Sequence, residues 1–540
     1  MGDPVGPPLK TAINPRLGRS SGLTLAFLSL IPFVGNIMYG AVGLRGTDQY
    51  WYAGDLRMSK ITGMPVTNAL YPIATGLNAN ASLDGLPPRI HNLPITYLAN
   101  LVYQAGASDY FAWVYVNFSV ALLIAVSVYL VARSQGYSYA YIAPAFFLSF
   151  PLTLWLSINA LADMSIALGS CLLMLGATLV SRAVRDDGGR VSVGLLIIAV
   201  ASVLLYYTRD NYVLLFPAQV IFTFWVCRSH RKRWVSAASI LGITAILAAL
   251  KHLVLPQYPS AGLLSLLMGN TPSGGEGMAP YYRSGQVPFS ASEVIFKAMN
   301  GLKDAVFPSG PSELITELPI MVIAVVALFV FRKVDNSRIL RFWMFVVLVI
   351  YLTTAAIFQS QNRYIMALVP FVVVFGAGLW DRVIHRGAVP HGLTNVLRLT
   401  SVGFFIICVF GSFLLARTYR AEATSEVKQT GRLIAGLARE PSGSLLAVAE
   451  TAKLLPLTYA AVPRPVLALD PRINSTAEAA RLIEAWNVRV LVGATSTDLQ
   501  YLSLAVDLAF DGRAKLVSQS TYETPRGPIK VWLIETGSIG

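Results

Sequence analysis

Charge is scarce in this chain. Asp, Glu, Lys and Arg make up 13% of its 540 residues, against about 25% in an ordinary soluble domain. Hydrophobic residues reach 55%, and the mean hydropathy is +0.58, which excludes a soluble multidomain protein over most of the length. Cysteine is nearly absent. Cys171, Cys227 and Cys408 each lie inside an apolar run, so neither a disulfide framework nor a zinc-ligand spacing is present. No GxGxxG or GxxxxGK(S/T) run occurs to mark a nucleotide fold. The net charge of +14 does not point to nucleic acid as a partner, because the basic residues gather in short clusters between apolar runs, where they set membrane orientation.

What is present is a series of apolar runs of transmembrane length. They are Gly22 to Leu44, Phe111 to Ala132, Ala140 to Leu161, Met164 to Val180, Val191 to Tyr207, Tyr212 to Cys227, Val235 to Leu250, Leu318 to Phe331, Phe342 to Phe358, Tyr364 to Trp380 and Leu399 to Ala416. The first follows Lys10, Arg16 and Arg19 and lacks a clear small-residue cleavage site, so it reads as a retained helix. The pattern predicts a polytopic α-helical membrane protein of about eleven helices. Alternate loops hold Arg182, Arg185 and Arg190, then Arg228 to Arg233, then Arg332 to Arg341, which predicts a cytoplasmic N-terminus in an inner (plasma) membrane and a C-terminus outside.

Residues 1–416 thus form the membrane domain, with two long outer loops over 45–110 and 256–311. Stretches Tyr50 to Ile61 and Leu93 to Tyr103 read as short interfacial helices, and Asn270 to Gly277 as a Gly/Ser/Pro-rich flap or insertion leading to a further helix near Ala291 to Leu302. In residues 417–540 about a fifth of the positions are charged, twice the earlier fraction. There, strand-like segments Ser444 to Ala449, Val466 to Leu469, Val488 to Gly493 and Ile529 to Glu535 alternate with helix-like Thr451 to Ala461, Ala477 to Trp486 and a helix after Thr495. This is a small extracytoplasmic α/β domain.

The informative run is Gly46-Thr47-Asp48-Gln49-Tyr50-Trp51-Tyr52-Ala53-Gly54-Asp55, directly after the first helix. A carboxylate at a helix mouth beside a hydrocarbon-bounded cavity can take a proton from an acceptor hydroxyl, and Asp48 is the candidate general base. Asp48 and Asp55 read equally as solvated interfacial charges. The run resembles the first-loop Asp-Glu-x-x-Tyr-Ala pattern of the GT-C superfamily, in particular the polyprenyl-phosphate-sugar transferases related to bacterial aminoarabinose transferase and the protein O-mannosyltransferases. Gln49 stands where that pattern has its second acid. Arg89 to Tyr97 is similar to the family's His-Lys-Pro-Pro-Leu segment, with Asn92 for the lysine and Leu93 for the first proline. Ala160-Leu161-Ala162-Asp163-Met164 resembles the outer-face Asp between the third and fourth helices, Asn362 to Pro370 resembles an Arg-Tyr-x-x-x-x-x-Pro helix start, and Thr208-Arg209-Asp210 adds a further match.

The resemblance implies a GT-C fold and an inverting glycosyltransferase that moves one sugar from a polyprenyl-phosphate donor to an envelope glycan, lipid or protein acceptor. It implies catalytic acids at Asp48, Asp163 and Asp55, donor-phosphate contacts from Arg363, Arg209, Arg89 and His91, and substrate contacts from Tyr50, Tyr52 and Tyr364. Arg209 and Arg363 read also as interfacial anchors. The lipid-linked sugar is a substrate, and no metal ligand is assigned, although a divalent cation shared by Asp48 and Asp163 stays open. Two other readings compete. A polysaccharide ligase or polymerase would favour a large arginine-rich outer loop, and 256–311 offers only Arg283, Lys297 and Lys303. A flippase or transporter would show midplane charge or interrupted repeat helices, and neither is evident.

Overall fold

The computed structural model describes residues 15–62, 93–185, 191–227, 231–254, 295–296, 299–300, 302–303, 311–331, 337–358, 362–385, 391–448, 451–464, 466–469 and 475–536. Most of the 256–311 loop, with its flap and the helix near Ala291 to Leu302, lies outside them. The chain is mostly helical. In order, the helices are α1 (Pro15–Gly40), α2 (Thr47–Thr62), α3 (Leu93–Gln104), α4 (Asp109–Ser134), α5 (Ile142–Ser149), α6 (Pro151–Ile158), α7 (Met164–Arg185), α8 (Val191–Thr208), α9 (Leu215–Cys227), α10 (Arg231–Val254), α11 (Pro311–Val330), α12 (Arg338–Phe358), α13 (Val369–His385) and α14 (His391–Leu437). Short 3₁₀ turns precede α9 (Asp210–Leu214) and α13 (Asn362–Ala367).

Five helical stretches among the described residues are long and apolar enough to cross a bilayer: Asp109–Ser134, Met164–Val184, Val191–Thr208, Arg338–Ala356 and Leu399–Leu437. Shorter apolar helices run over Leu28–Gly40, Asn211–Cys227, Ala237–Leu250 and Leu318–Val330. α7 and α8 meet at two glycines. A Cβ on Gly176 would lie 2.8 Å from the Gly194 carbonyl oxygen, and one on Gly194 would lie 2.8 Å from that of Gly176, the small-residue contact that lets membrane helices meet backbone to backbone.

The expected span Ala140 to Leu161 is instead two eight-residue helices, α5 and α6, meeting at Phe150. Pro151 disfavours the helical region for the residue before it, and Phe150 is extended at φ −69°, ψ 125°. The Ser412 hydroxyl, on α14, donates to the Ser149 carbonyl at 3.0 Å, satisfying a group that the break releases. The expected last span, Leu399 to Ala416, is the middle of α14, which runs 47 residues without interruption through the 416/417 boundary.

Beyond α14 the chain forms a five-stranded sheet: β1 (Leu445–Val448), β2 (Val466–Leu469), β3 (Val490–Gly493), β4 (Ala514–Thr524) and β5 (Gly527–Thr536), in the order β2-β1-β3-β5-β4. β1 pairs parallel with β2 and β3, and β5 pairs antiparallel with β3 and β4. Leu446 and Val448 pack with Leu482 and Leu502 from α16 (Thr476–Ala485) and α17 (Ser496–Phe510). Leu445 and Ala447 face the other way, against Leu433 and Leu437 of α14 and Leu457 of α15 (Thr451–Ala461). Both faces are therefore covered, as the continuous apolar runs of β1 and β3 require.

Candidate active site

The site is built where several helix ends meet, on the loop between α6 and α7. Three side chains hold that loop. Asn117, about two turns into α4, donates from Nδ2 to the carbonyls of Leu156, Asn159 and Leu161 at 3.2, 3.0 and 2.9 Å. The Tyr110 hydroxyl donates to the Ile158 carbonyl at 2.6 Å. Gln49, on the first turn of α2, donates to Asn159 Oδ1 and accepts on Oε1 from the Ala160 amide at 3.3 Å and the Tyr419 hydroxyl at 3.0 Å. The irregular backbone of this loop thus has partners in an otherwise apolar surrounding.

The loop delivers Asp163, only 1% exposed, to the start of α7. Its Oδ1 lies 3.0 Å from Arg209 Nη2 and its Oδ2 3.5 Å from Arg363 Nη1. Arg209 is extended between α8 and the following 3₁₀ turn, which swings its side chain off the helix axis. Arg363 sits in the 3₁₀ turn before α13. Both guanidinium carbons lie over the Tyr364 ring, at 4.9 Å for Arg209 and 5.7 Å for Arg363. Three residues that are far apart in sequence therefore converge, with Tyr364 beneath. Together they carry two positive charges and one negative, a better host for an anion than for a cation.

α2 flanks this cluster. Asp48 is its second residue, directly before Gln49, and its side chain lies outside the described residues. Asp55 is 3% exposed and falls two turns further along the same face. Tyr52 packs edge-on against Trp113 at 5.3 Å, and its carbonyl accepts from Trp113 Nε1 at 3.2 Å. Tyr50, expected against substrate, is instead 1% exposed, with its hydroxyl 2.8 Å from Thr430 Oγ1 and 3.4 Å from Glu426 Oε2, both on α14. Its ring meets Tyr459 of α15 edge-on at 5.5 Å. Burial pushes the Tyr50 hydroxyl well above the usual phenol range, so it stays protonated as a donor. Arg89 and His91 lie outside the described residues.

The sequence reading missed the braces. Glu426 accepts from the Gly46 amide at 3.0 Å, at the mouth of α2, and faces Arg526 of the β4–β5 turn. Tyr459 donates to Asp109 Oδ2 at 2.7 Å, and Arg57 lies over its ring at 4.6 Å. The only sequence signal was indirect: Asn117, a polar residue inside an apolar span, asks for a partner.

A divalent cation does not fit at Asp163, whose two oxygens each face a guanidinium. Among the described residues no group of three or more His, Cys, Asp or Glu side chains gathers elsewhere.

No protein-family model and no curated protein matches the sequence. Solved structures match by fold. ArnT from Cupriavidus metallidurans bound to undecaprenyl phosphate superposes with a TM-score of 0.54 at 13% identity, over 97% of this chain and 98% of that one. The Archaeoglobus fulgidus oligosaccharyltransferase with Zn and sulfate gives 0.54 at 12% identity, over 94% of this chain and 72% of that one. The same archaeal enzyme, AglB, with an inhibitory peptide and a dolichol-phosphate gives 0.52 at 12%, over 96% and 74%. The chain therefore shares its overall fold with ArnT and the archaeal oligosaccharyltransferase, the GT-C fold.

Proposed function

We propose that the protein is an inverting glycosyltransferase of the plasma membrane that moves one sugar from a polyprenyl-phosphate donor to an acceptor hydroxyl on the outer face. The observation that carries this reading is the convergence of Arg209 and Arg363 on buried Asp163. In it, Asp163 orients the Arg209 and Arg363 guanidiniums, which bind the donor phosphate, and Asp48, one residue from the Gln49 brace, is the base. The acceptor oxygen attacks the anomeric carbon, and the bond from that carbon to the phosphate oxygen breaks. Polyprenyl phosphate leaves with the electron pair, and the acceptor proton passes to Asp48. Asp55 supports Asp48 from the same face of α2, and Arg89 and His91 belong to the donor side.

The arrangement has about eleven crossings, a cytoplasmic N-terminus and the sheet domain outside. The near end-to-end match in length to ArnT, which binds undecaprenyl phosphate, favours transfer of one sugar over transfer of a whole glycan. The test is a purified assay with a labelled polyprenyl-phosphate sugar and envelope fractions from the source cell. Release of polyprenyl phosphate with a one-sugar mass gain on an acceptor is expected. A gain of a whole glycan would make the protein a ligase, and release with no acceptor gain in any fraction would end the transferase reading.

A further inference from the structure

At the opposite end of the bundle a groove of about 370 Å³ is lined by Ile221, Phe222, Trp225, Leu328, Arg338, Arg341, Phe342 and Phe345. Its place follows from α12. Thr354, near the far end of that helix, contacts Asn211 two residues from Arg209, and Arg338 lies 16 residues earlier, about 24 Å along the helix. The groove is therefore remote from Asp163.

Its two cations are held in different ways. The Arg338 guanidinium carbon lies over the Trp225 ring at 4.9 Å, within cation–π range. Arg341 donates to the Leu328 carbonyl at 3.2 Å, near the negative end of α11. In the sequence, residues 228–233 and 332–341 carry eight Lys and Arg residues against the lone acid Asp335, the charge pattern of loops at an inner membrane face. Away from the arginines the lining turns apolar and continues onto exposed helix faces: Ile221 is 62% exposed and Phe345 52%. A site basic at one end and apolar at the other, at the rim of a bilayer, matches one ligand chemistry.

We propose that this groove binds an anionic phospholipid, its phosphate between Arg338 and Arg341 and an acyl chain along Phe345 and Ile221. The volume suits a glycerophosphate headgroup, lying low in the ~300–1,000 Å³ range of small-ligand pockets, and the tail lies outside against the helices. The site is independent of the transferase reading and needs only that the helices cross a membrane.

Native mass spectrometry of the full-length protein in detergent, with phosphatidylglycerol and phosphatidylcholine of matched chains in equal amounts, tests it. Preferential retention of phosphatidylglycerol is expected. The R338Q/R341Q variant should weaken that retention about fivefold for each arginine lost, whereas R209Q/R363Q should leave it unchanged. Photoactivatable phosphatidylglycerol should label wild-type peptides spanning 215–227 and 338–358, an outcome that needs no variant to fold. Equal retention of the two lipids, displacement by millimolar inorganic phosphate, labelling only elsewhere, or loss that follows Arg209 and Arg363 instead would each overturn the proposal.

Discussion

At the scale of single residues, the site depends on one carboxylate holding two arginines. Replacing Asp163 by Asn keeps the shape and removes the charge, leaving two guanidiniums facing a neutral amide. Breaking a buried pair in this way costs about 3–5 kcal/mol, so Asp163→Asn should lower the thermal midpoint by several degrees and weaken polyprenyl-phosphate binding together. A variant with wild-type stability and affinity would show that Asp163 does not organise the arginines. Asp48→Asn is expected to behave differently. It should leave donor binding intact while slowing transfer by ~10²–10⁴, the usual loss on removing a general base. Single-turnover release of polyprenyl phosphate at wild-type rate would take Asp48 out of the chemistry. Gln49 makes the same point about structure: its amide donates to Asn159 and accepts from Ala160 and Tyr419, a two-way role that a carboxylate cannot fill. The family-like acid is absent at that position, and a structural hub stands there instead.

At the scale of elements, the α7–α8 pair is the clearest case of packing dictated by small residues. A leucine at Gly194 would press its Cβ to 2.6 Å from Val180 and against the Gly176 backbone, whereas Gly242 on α10 has open space around its Cβ position. Gly194→Leu should lose at least about 1–3 kcal/mol, and Gly242→Leu should be nearly neutral. Equal thermal shifts in detergent would mean that close approach does not hold the pair. Sequence patterning located the strands β1, β2, β3 and β5 because each carries a short run of buried apolar residues, in β5 Val531, Trp532 and Ile534. It missed β4, an edge strand with one neighbour, whose Lys515, Ser518, Ser520 and Glu523 break the apolar signal and whose register shifts at Ser518/Ser520. It also merged α5 with α6, since hydropathy does not register the backbone break that Pro151 imposes. The cluster of Asp163, Arg209 and Arg363 was legible because charge at the edge of apolar runs is conspicuous. The contacts of Tyr50 with Glu426 and Thr430 were not, because they join positions about 380 residues apart, with no local periodicity to reveal them.

At the scale of the whole molecule, the sheet and the site cluster share one end of the bundle, joined by Tyr459 to Asp109 and by Glu426 to Gly46. With Cys171, Cys227 and Cys408 replaced, single cysteines at exposed Gln104 and Gln500 should therefore react with a membrane-impermeant maleimide on intact cells, while one at exposed Ser138, past the other end of α4, should react only after lysis. Labelling of Ser138→Cys from outside would invert the topology and remove the outer-leaflet donor from the mechanism. α14 gives this arrangement a mechanical property. Forty-seven residues make a rod about 70 Å long, more than twice the ~30 Å of hydrocarbon it crosses. A rod seated in a thinner bilayer leans, and the half of α14 beyond the hydrocarbon is fastened to α2 through Glu426 and Thr430 and to the sheet through Leu433 and Leu437, so these would lean with it. Bilayer thickness is thereby coupled to the pose of α2 and the sheet, as the seating of a mast sets the lie of whatever is lashed to it.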